Sequence, residues 1–392
     1  MRPGIQQLSG HRERSAPALL LPVFFLLLLC VYSTVSAQSG ERYWELLTLF
    51  GGDGDETYVN RMFHDSKRDH IIIIGRTMER DLPVTPDALK SDFTDMMDGY
   101  IAVFNSDCSE LLYCSYLGGS DNDAAVDAVI LDDDRLLVVI GGYSKDLPTT
   151  GTAWLETAPG DDASPWFAVL SLETFGILHA GYFGGNRRTS TDRVIKMRDG
   201  SIVMTGDTRS TDLPVTPDAF QSRKIGWLSR TDAWIAIFDS SLALDFCSYH
   251  GGVAGWETAY SGLAETDRYI VFTGETDAPD LPVTQDAYQN TFADGGRGWS
   301  DAYMAVVSKD DKQLVYSTYF GGVVEEQIRD IIVARDERIV LVGWTDSPDF
   351  PVTPNAWQSG LKDTSGYTYA DIIVAVFSLR EMRFEHITYI GG

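Results

Sequence analysis

The chain has 392 residues, of which 44% are hydrophobic and 22% charged, and its formal net charge is −26. This composition is typical of a folded globular protein and unlike that of a disordered one. Acidic residues outnumber basic ones by 57 to 31. Nucleic acid is therefore excluded as a favourable partner, because its phosphates would be repelled.

Residues 1–37 have the organisation of a secretory signal peptide. Three arginines precede an apolar run from Ala16 to Val31, and small residues ending in Ala37 follow it. Cleavage after Ala37 would leave Gln38 as the first mature residue. We therefore expect a secreted or cell-surface protein without a membrane span. The apolar run approaches the length that crosses a bilayer, so an uncleaved anchor is the alternative.

The cysteines do not form a disulfide framework. Cys30 lies in the signal segment, which leaves Cys108, Cys114 and Cys247, an odd number, in the mature chain. Cys114 and Cys247 occupy the same position of the repeat described below, where another copy has Ser317. They are predicted to be small strand side chains. A bridge between Cys108 and Cys114 across a hairpin is the alternative.

An internal repeat dominates the rest of the chain. A short phrase that ends in Gly-Gly occurs six times, at intervals of 66 to 70 residues, too regular for chance. Its last glycines are Gly52, Gly119, Gly185, Gly252, Gly322 and Gly392.

Two further phrases recur in step with the first. One resembles Asp-Leu-Pro-Val-Thr and begins at Asp81, Asp146, Asp212, Asp280 and Asp349. The other is a short apolar run at residues 100–104, 166–170, 234–238, 303–307 and 373–377. We expect these phrases to have structural roles, since Gly supplies unusual backbone angles and Pro fixes a turn after a strand.

Each repeat is predicted to contain four β-strands. In the second repeat they cover residues 124–131, 135–142, 165–172 and 176–183, and a polar turn at 132–134 joins the first two. The apolar residues alternate or form short β-branched runs, which favours strands over helices. A small sheet of this size buries both faces only by stacking on its neighbours. We therefore predict an all-β fold: a β-propeller of five tandem four-stranded blades over residues 38–392.

The number of predicted strands is compatible with both an open and a closed ring. One Gly-Gly strand opens the repeat region at residues 43–50 and another closes it at 384–390, so one strand is left over. An open or truncated ring is favoured, with an exposed strand edge that would promote self-association. A strained five-blade closure is the alternative.

The three phrases together resemble the bacterial SBBP repeat. The resemblance rests on segments such as Ser317–Gly322, Asp212–Gln221 and Asp232–Phe238, and it covers about residues 42–392. It implies an extracellular or cell-surface propeller. It implies no established reaction, cofactor or catalytic residue.

Motifs of catalysis and zinc binding are not present in the sequence. No two of the six histidines have metal-site spacing, and no nucleophile elbow, phosphate loop or dinucleotide fingerprint occurs. His250 replaces the Leu, Phe or Ile that precedes Gly-Gly in the other copies. We interpret it as drift and not as a functional residue.

Calcium is the only cofactor that the sequence suggests. Asp53 and Asp55, and likewise Asp121 and Asp123, follow a Gly-Gly phrase at the alternate spacing of a calcium loop. The third and fourth copies do not carry these residues. Ordinary Asp turns are the alternative explanation.

Two functions remain after these exclusions. The favoured one is an extracellular binding or structural scaffold for a glycan or protein. The alternative is a secreted polysaccharide hydrolase or lyase that uses carboxylates lining a central channel, and it requires acids that break the repeat. Abundant acids alone do not favour it.

Ligand contacts are expected on the face that carries the Gly-Gly connections and the variable loops at 222–231, 290–300 and 359–370. The candidates are Trp227, Trp299 and Tyr367, because aromatic side chains bind sugars and protein partners. Four other aromatic residues share one repeat position and are predicted to be packed, namely Trp154, Phe220, Tyr288 and Trp357.

Overall fold

The computed structural model describes residues 49–52, 56–94, 96–151, 154–293, 295–296, 298–362 and 370–391. Within these ranges all regular elements are β-strands, and they form five four-stranded antiparallel sheets. The predicted all-β class and the four-strand repeat are confirmed. The signal segment at residues 1–37 lies outside the described ranges. Within them, no helix is long and apolar enough to span a bilayer.

The first sheet contains β1 (Thr57–Asp65), β2 (His70–Thr77), β3 (Asp98–Asn105) and β4 (Leu111–Leu117). The second contains β5 (Asp123–Asp132), β6 (Arg135–Gly142), β7 (Trp166–Ser171) and β8 (Ile177–Tyr182). The third contains β9 (Arg193–Lys196), β10 (Ile202–Thr208), β11 (Asp232–Phe238) and β12 (Leu244–His250). The fourth contains β13 (Gly262–Glu265), β14 (Tyr269–Thr276), β15 (Asp301–Ser308) and β16 (Leu314–Phe320). The fifth contains β17 (Glu326–Val333), β18 (Arg338–Thr345), β19 (Asp371–Ser378) and β20 (Arg383–Ile390).

Neighbouring strands in each sheet are also neighbours in the sequence. Short turns therefore suffice to connect most strands, as in any antiparallel meander. The predicted strands of the second repeat agree with β5 to β8, and β20 matches the predicted closing strand. Of the opening strand predicted at residues 43–50, only residues 49 and 50 fall within the described ranges.

The described residues form two compact units. The first consists of the residues up to Thr150 together with Trp166–Ala180. In its first sheet, Tyr100 and Phe104 are buried, and the Phe50 ring lies 5.6 Å from the Tyr100 ring.

All three cysteines of the described residues are free and buried. The Cys108–Cys114 bridge does not form. Cys114 and Cys247 are both paired with an alanine on the third strand of their sheet, as is Ser317. Their predicted role as small strand side chains is confirmed.

The second unit consists of Gly151–Pro165 and the residues from Gly181 onward. Its three sheets are packed face to face. Val203 and Ile235 of the third sheet share a core with Phe272 of the fourth. Met304 of the fourth sheet shares another core with Ile331 of the fifth. Burial on both faces explains the apolar runs of the third strands, since every residue of β11 is buried.

The first strands of these three sheets converge. The Arg193 guanidinium, on β9, donates to the backbone oxygen of Ser261 at 3.0 Å, just before β13. It also donates to the backbone oxygen of Arg329 on β17 at 3.4 Å. One side chain thus links the first strands of three successive sheets or the residue directly before them.

The tyrosine of the Gly-Gly phrase holds the Asp-Leu-Pro turn. The Tyr319 hydroxyl donates to the Ala278 carbonyl at 2.7 Å and accepts from the Leu281 amide at 2.8 Å. Tyr116 and Tyr249 make the same pair of bonds in their own sheets. Each such bond satisfies a buried backbone group, which explains why both phrases recur together.

The aspartate of the Asp-Leu-Pro phrase fixes the connection to the next sheet. Asp212 accepts a bond of 2.8 Å from the Asn186 amide, directly after the second glycine. Asp349 accepts one of 3.0 Å from the Val323 amide in the same way. The Gly-Gly connections and the Asp-Leu-Pro turns therefore lie at one end of each sheet, which we name the Gly-Gly end.

A glutamine completes this arrangement in the last three sheets. In the fourth, Gln289 accepts from the Gly321 amide at 3.0 Å and donates to the Asp301 carboxylate at 3.2 Å. A side chain at Gly321 would clash, because its Cβ would lie 2.4 Å from the Asp301 Cγ and 2.7 Å from a Glu326 oxygen. The repeated phrases thus have the structural roles that the sequence predicted.

His250 is a polar residue at an apolar position. It is fully buried among the rings of Phe220, Phe272 and Tyr303. Neither ring nitrogen has a hydrogen-bond partner among the described residues. Burial lowers the pKa of His250 to about 3. The residue therefore stays neutral in the folded protein, at a cost in stability.

We expect His250→Leu to stabilise the protein, because leucine is found at this position in the first sheet. The gain at pH 7 should be about 1–3 kcal/mol from removing unpaired buried nitrogens. It should grow by about 2 kcal/mol at pH 5, because the unfolded chain then protonates this histidine while the folded protein does not. Urea unfolding at both pH values measures this. Equal pH dependence in the two proteins would contradict the assignment.

Candidate functional site

The variable loop of the third sheet presents an exposed tryptophan from a fixed backbone. The Lys224 ammonium lies 2.5 Å from the Asp232 carboxylate, and both side chains are almost fully buried. Asp232 also accepts from the Ile225 amide at 3.2 Å. Burial raises the pKa of the Asp232 carboxyl, and the neighbouring Lys224 opposes this rise. The ion pair anchors the loop directly before Trp227.

Gly226 brings the loop into close contact with the Gly-Gly connection that contains Val253. Gly226 has a φ of +82°, and a Cβ there would lie 2.4 Å from the Val253 carbonyl oxygen. Trp227 is 65% exposed, and Leu228 and Val253 are exposed as well. These three apolar side chains, which we name the Trp227 patch, lie at the Gly-Gly end as the sequence predicted.

Trp299 has a similar position in the fourth sheet. It is 41% exposed. The following residue, Ser300, is buried, and its carbonyl accepts from the Glu326 amide at 3.1 Å. The loop also approaches Val323, since a Cβ on Gly295 would lie 3.0 Å from the Val323 carbonyl oxygen. Tyr367, the third predicted contact residue, lies outside the described residues.

The prediction that one aromatic repeat position is packed is partly wrong. Trp154 and Tyr288 contact the following sheet, with ring distances of 4.9 Å to Phe238 and 5.0 Å to Phe384. Even so, Tyr288 is 39% exposed, and Trp357 is 73% exposed. The physical reason is that this position packs on the next sheet. No described sheet follows the one that contains Trp357.

The predicted calcium positions fall partly outside the described residues, which omit Asp53 and Asp55. Asp121 is exposed, whereas Asp123 is buried. Asp123 accepts hydrogen bonds of 2.7 Å from the Gly119 amide and the Ser144 hydroxyl. Among the described residues no group of three or more metal-ligating side chains occurs. Calcium binding stays a prediction.

The first unit has an open pocket of about 560 Å³ at its Gly-Gly end. This volume is within the range of small-ligand sites. Its lining is largely apolar and rich in methionine, and consists of Met78, Arg80, Phe93, Met96, Met97, Asn122 and Tyr143. The Arg80 guanidinium lies over the Phe93 ring, 5.5 Å from its centre. Thioether side chains adapt their shape to apolar groups of a partner.

A buried carboxyl group lies between the fourth and fifth sheets. Glu275, on β14, accepts a hydrogen bond from the Gln327 amide, which also donates to the Tyr260 hydroxyl. The Trp344 indole donates to the Gln327 oxygen at 3.2 Å. We name these four residues the Glu275 cluster.

Burial raises the pKa of Glu275 to about 7, and the hydrogen bond from Tyr260 opposes this rise. The charge of Glu325 raises it further, whereas that of Arg329 lowers it. A carboxyl group with such a pKa is partly protonated at neutral pH. It has the proton affinity that a general acid or base requires.

Sequence reasoning did not single out Glu275, although a signal for it was present. The residue that precedes the last position of the second strand differs in every repeat: Arg76, Gly141, Asp207, Glu275 and Trp344. An acid that breaks the repeat is what the enzyme alternative requires. The neighbouring positions are nearly uniform, since glycine precedes this residue in four repeats and threonine follows it in four.

Comparisons with known proteins show no family. No protein-family model matches the chain, and no curated protein matches it. It is similar to the solved structure of Pyrococcus horikoshii acylaminoacyl peptidase at 12% identity, over 81% of this chain and 38% of the peptidase, with a TM-score of 0.37. The chain thus spans about two fifths of that protein's length.

Two other solved structures are similar at the same level. CoXyl43, a GH43 β-xylosidase/α-arabinofuranosidase from a compost microbial metagenome, has 12% identity and a TM-score of 0.34 over 85% of this chain and 96% of that one. Quinohemoprotein alcohol dehydrogenase from Comamonas testosteroni has 10% identity and a TM-score of 0.32, over 72% of this chain and 44% of that one. At these scores the likenesses establish no activity.

Proposed function

We propose that this chain is an exported SBBP-type β-propeller that serves as a scaffold and binds an extracellular protein through its Gly-Gly end. The signal-like N-terminus supports export. The face-to-face packing of three sheets and the convergence of their first strands on Arg193 support radial stacking into blades. A five-blade arrangement follows from the five repeats.

The observation that carries this proposal is the Trp227 patch. A tryptophan that is 65% exposed contributes little to folding. Nevertheless its loop is fixed by a buried Lys224–Asp232 pair and by the close approach of Gly226 to Val253. A rigid, exposed aromatic residue loses little entropy when a partner covers it, which makes it an effective contact residue.

The chemistry around Trp227 favours protein over glycan. Two exposed residues beside it, Leu228 and Val253, are aliphatic and offer no hydrogen bonds to sugar hydroxyls. The pocket of the first unit is likewise lined mainly by thioether and aromatic groups. Apolar side chains of a partner protein fit both surfaces, because aromatic residues and methionine are enriched in protein interfaces.

Binding of labelled protein to arrays of glycans and of purified extracellular-matrix proteins tests this proposal. We expect specific signals on the protein array, and we expect Trp227→Ala to weaken them about tenfold or more. The melting temperature should change little, because the side chain is exposed. Trp357→Ala is the matched control, an exposed tryptophan outside the variable loops, and should retain binding.

Three results would contradict the proposal: no specific signal on the protein array, equal losses in the two tryptophan variants, or unfolding of the Trp227 variant. Signals confined to the glycan array would favour the sugar-binding form of the scaffold.

A polysaccharide hydrolase or lyase is the second candidate, because Glu275 is an acid at a strand position that varies from repeat to repeat, and its pKa is about 7. If it acts as the acid, Glu275→Gln should abolish cleavage of a panel of plant and microbial polysaccharides, at least a hundredfold. Glu326→Gln is the control, since burial also raises the pKa of Glu326 to about 7 while its carboxylate holds the Gly322 amide. Absence of cleavage by the wild type, or cleavage that survives Glu275→Gln, rules this candidate out.

A further inference from the structure

The pocket of the first unit lies between the Gly-Gly ends of its two sheets. Met78 directly follows β2 of the first sheet, and Tyr143 directly follows β6 at the same repeat position of the second. Met96 and Met97 come from the loop before β3. Each sheet therefore supplies part of the lining, and the whole pocket belongs to one compact unit.

Backbone hydrogen bonds hold the walls of this pocket. The Tyr143 amide donates to the Asn122 carbonyl at 3.0 Å, so the two lining residues of the second sheet are tied together. The Met97 carbonyl accepts from the Asp123 amide at 3.0 Å, which joins the loop of the first sheet to the second. Because these bonds fix the walls, binding of a ligand requires little ordering of the chain.

The apolar part of the lining favours an aromatic ligand. Three of the nine methionines of the chain line the pocket, namely Met78, Met96 and Met97, and the rings of Phe93 and Tyr143 complete it. Met78 and Met96 are exposed. Thioether sulfur makes favourable contacts with aromatic rings, and the unbranched side chain adapts to their shape.

Among the described residues that line the pocket, only Arg80 carries a charge. Its guanidinium is exposed, lies over the Phe93 ring and pairs with no described carboxylate. By contrast, Arg61, Arg68 and Lys90 of the same repeat each contact a carboxylate, at 2.8, 3.0 and 2.9 Å. The N–H groups of Arg80 are therefore available to an anion in the pocket.

Arg80 does not belong to the repeated frame. It precedes the Asp-Leu-Pro phrase of the first repeat, at a position where the other repeats have Lys145, Thr211, Pro279 and Pro348. Since proline occupies this position in two repeats, the turn itself requires no cation. The charge is therefore a property of this pocket and not of the fold.

Asn122 supplies a second polar group to the lining. Its side-chain oxygen is buried and has no hydrogen-bond partner among the described residues. The same amide carries two N–H donors. Because no partner holds the oxygen in place, the amide group can turn and donate to an anion in the pocket.

We propose that this pocket binds a small organic acid, a monocarboxylate with an aromatic body. The Arg80 guanidinium donates to the carboxylate, and the thioether and aromatic side chains surround the body. One guanidinium balances one negative charge, whereas a chain with a formal charge of −26 repels a dianion such as a phosphate monoester more strongly. The cavity of about 560 Å³ has the size of a small-ligand site.

This site goes beyond the scaffold function, because the Trp227 patch belongs to the other unit. The C-terminal residue of a partner protein would offer the same chemistry if its side chain were aromatic. The free acid is favoured, since it places charge and ring against the lining without a backbone that has to leave the pocket past the same residues.

Calorimetric titration of the purified protein with biphenylacetate tests the proposal, with the uncharged biphenylacetamide as the matched probe. We expect the acid to bind about tenfold more tightly than the amide, because only the acid forms a charged pair. Arg80→Gln should remove this difference by weakening the acid alone. The matched control is Arg209→Gln, which changes an exposed arginine directly after β10 and should keep the affinity of the wild type.

Methionine methyl NMR locates the bound acid. The signals of Met78, Met96 and Met97 should shift during the titration, whereas those of Met204 and Met304 should not, because both are buried in sheet cores. Single Met→Leu variants assign the signals. Both arginine variants should unfold at the temperature of the wild type, since the changed side chains are exposed.

Four results would overturn the proposal: no binding of the acid at millimolar concentration, equal affinities for acid and amide, an acid affinity that Arg80→Gln leaves unchanged, or methyl shifts confined to methionines outside the pocket. A pentapeptide with a C-terminal phenylalanine provides the last arm. If the peptide binds and the free acid does not, the pocket takes the chain terminus of a partner and the small-ligand proposal is wrong.

Discussion

The third strand of each repeat is apolar on both faces, so each sheet has to be covered twice. β11 and β15 show the result, since all but one of their residues are buried. Because of this constraint, polar side chains are found mainly at the ends of the sheets and at the few strand positions that differ between repeats. The interlocking contacts of the Gly-Gly end and the exposed tryptophans of the variable loops follow from it.

Much of the fold could be predicted because the sequence repeats it five times. Strand positions and the structural role of the Asp-Leu-Pro aspartates needed only periodicity and turn chemistry. The exposure of Trp357 could not be predicted, because the repeat indicates the average environment of a position and not the surroundings of one copy. Glu275 was missed because its importance depends on burial between two sheets, and single-sequence periodicity does not show which side chains meet there.

In the proposed scaffold, the repeated residues stabilise the frame and the non-repeated residues of the loops contact the partner. Tyr319, Gln289 and Asp301 hold the Gly-Gly end rigid through bonds that recur in other sheets. Trp227 and Trp299 project from loops fastened to that frame. Binding chemistry can therefore vary from loop to loop without disturbing the sheets, as is common where rigid frameworks carry variable loops.

Hydrogen exchange at the Gly-Gly connections tests most directly whether the repeated phrases form this rigid frame. The Gly321 amide lies outside any strand, yet it donates to the Gln289 side-chain oxygen at 3.0 Å. The structure predicts that it exchanges as slowly as the neighbouring amides of β16, and that Gln289→Ala removes this protection while those amides keep theirs. Exchange at the rate of an open loop in the wild type would contradict the account.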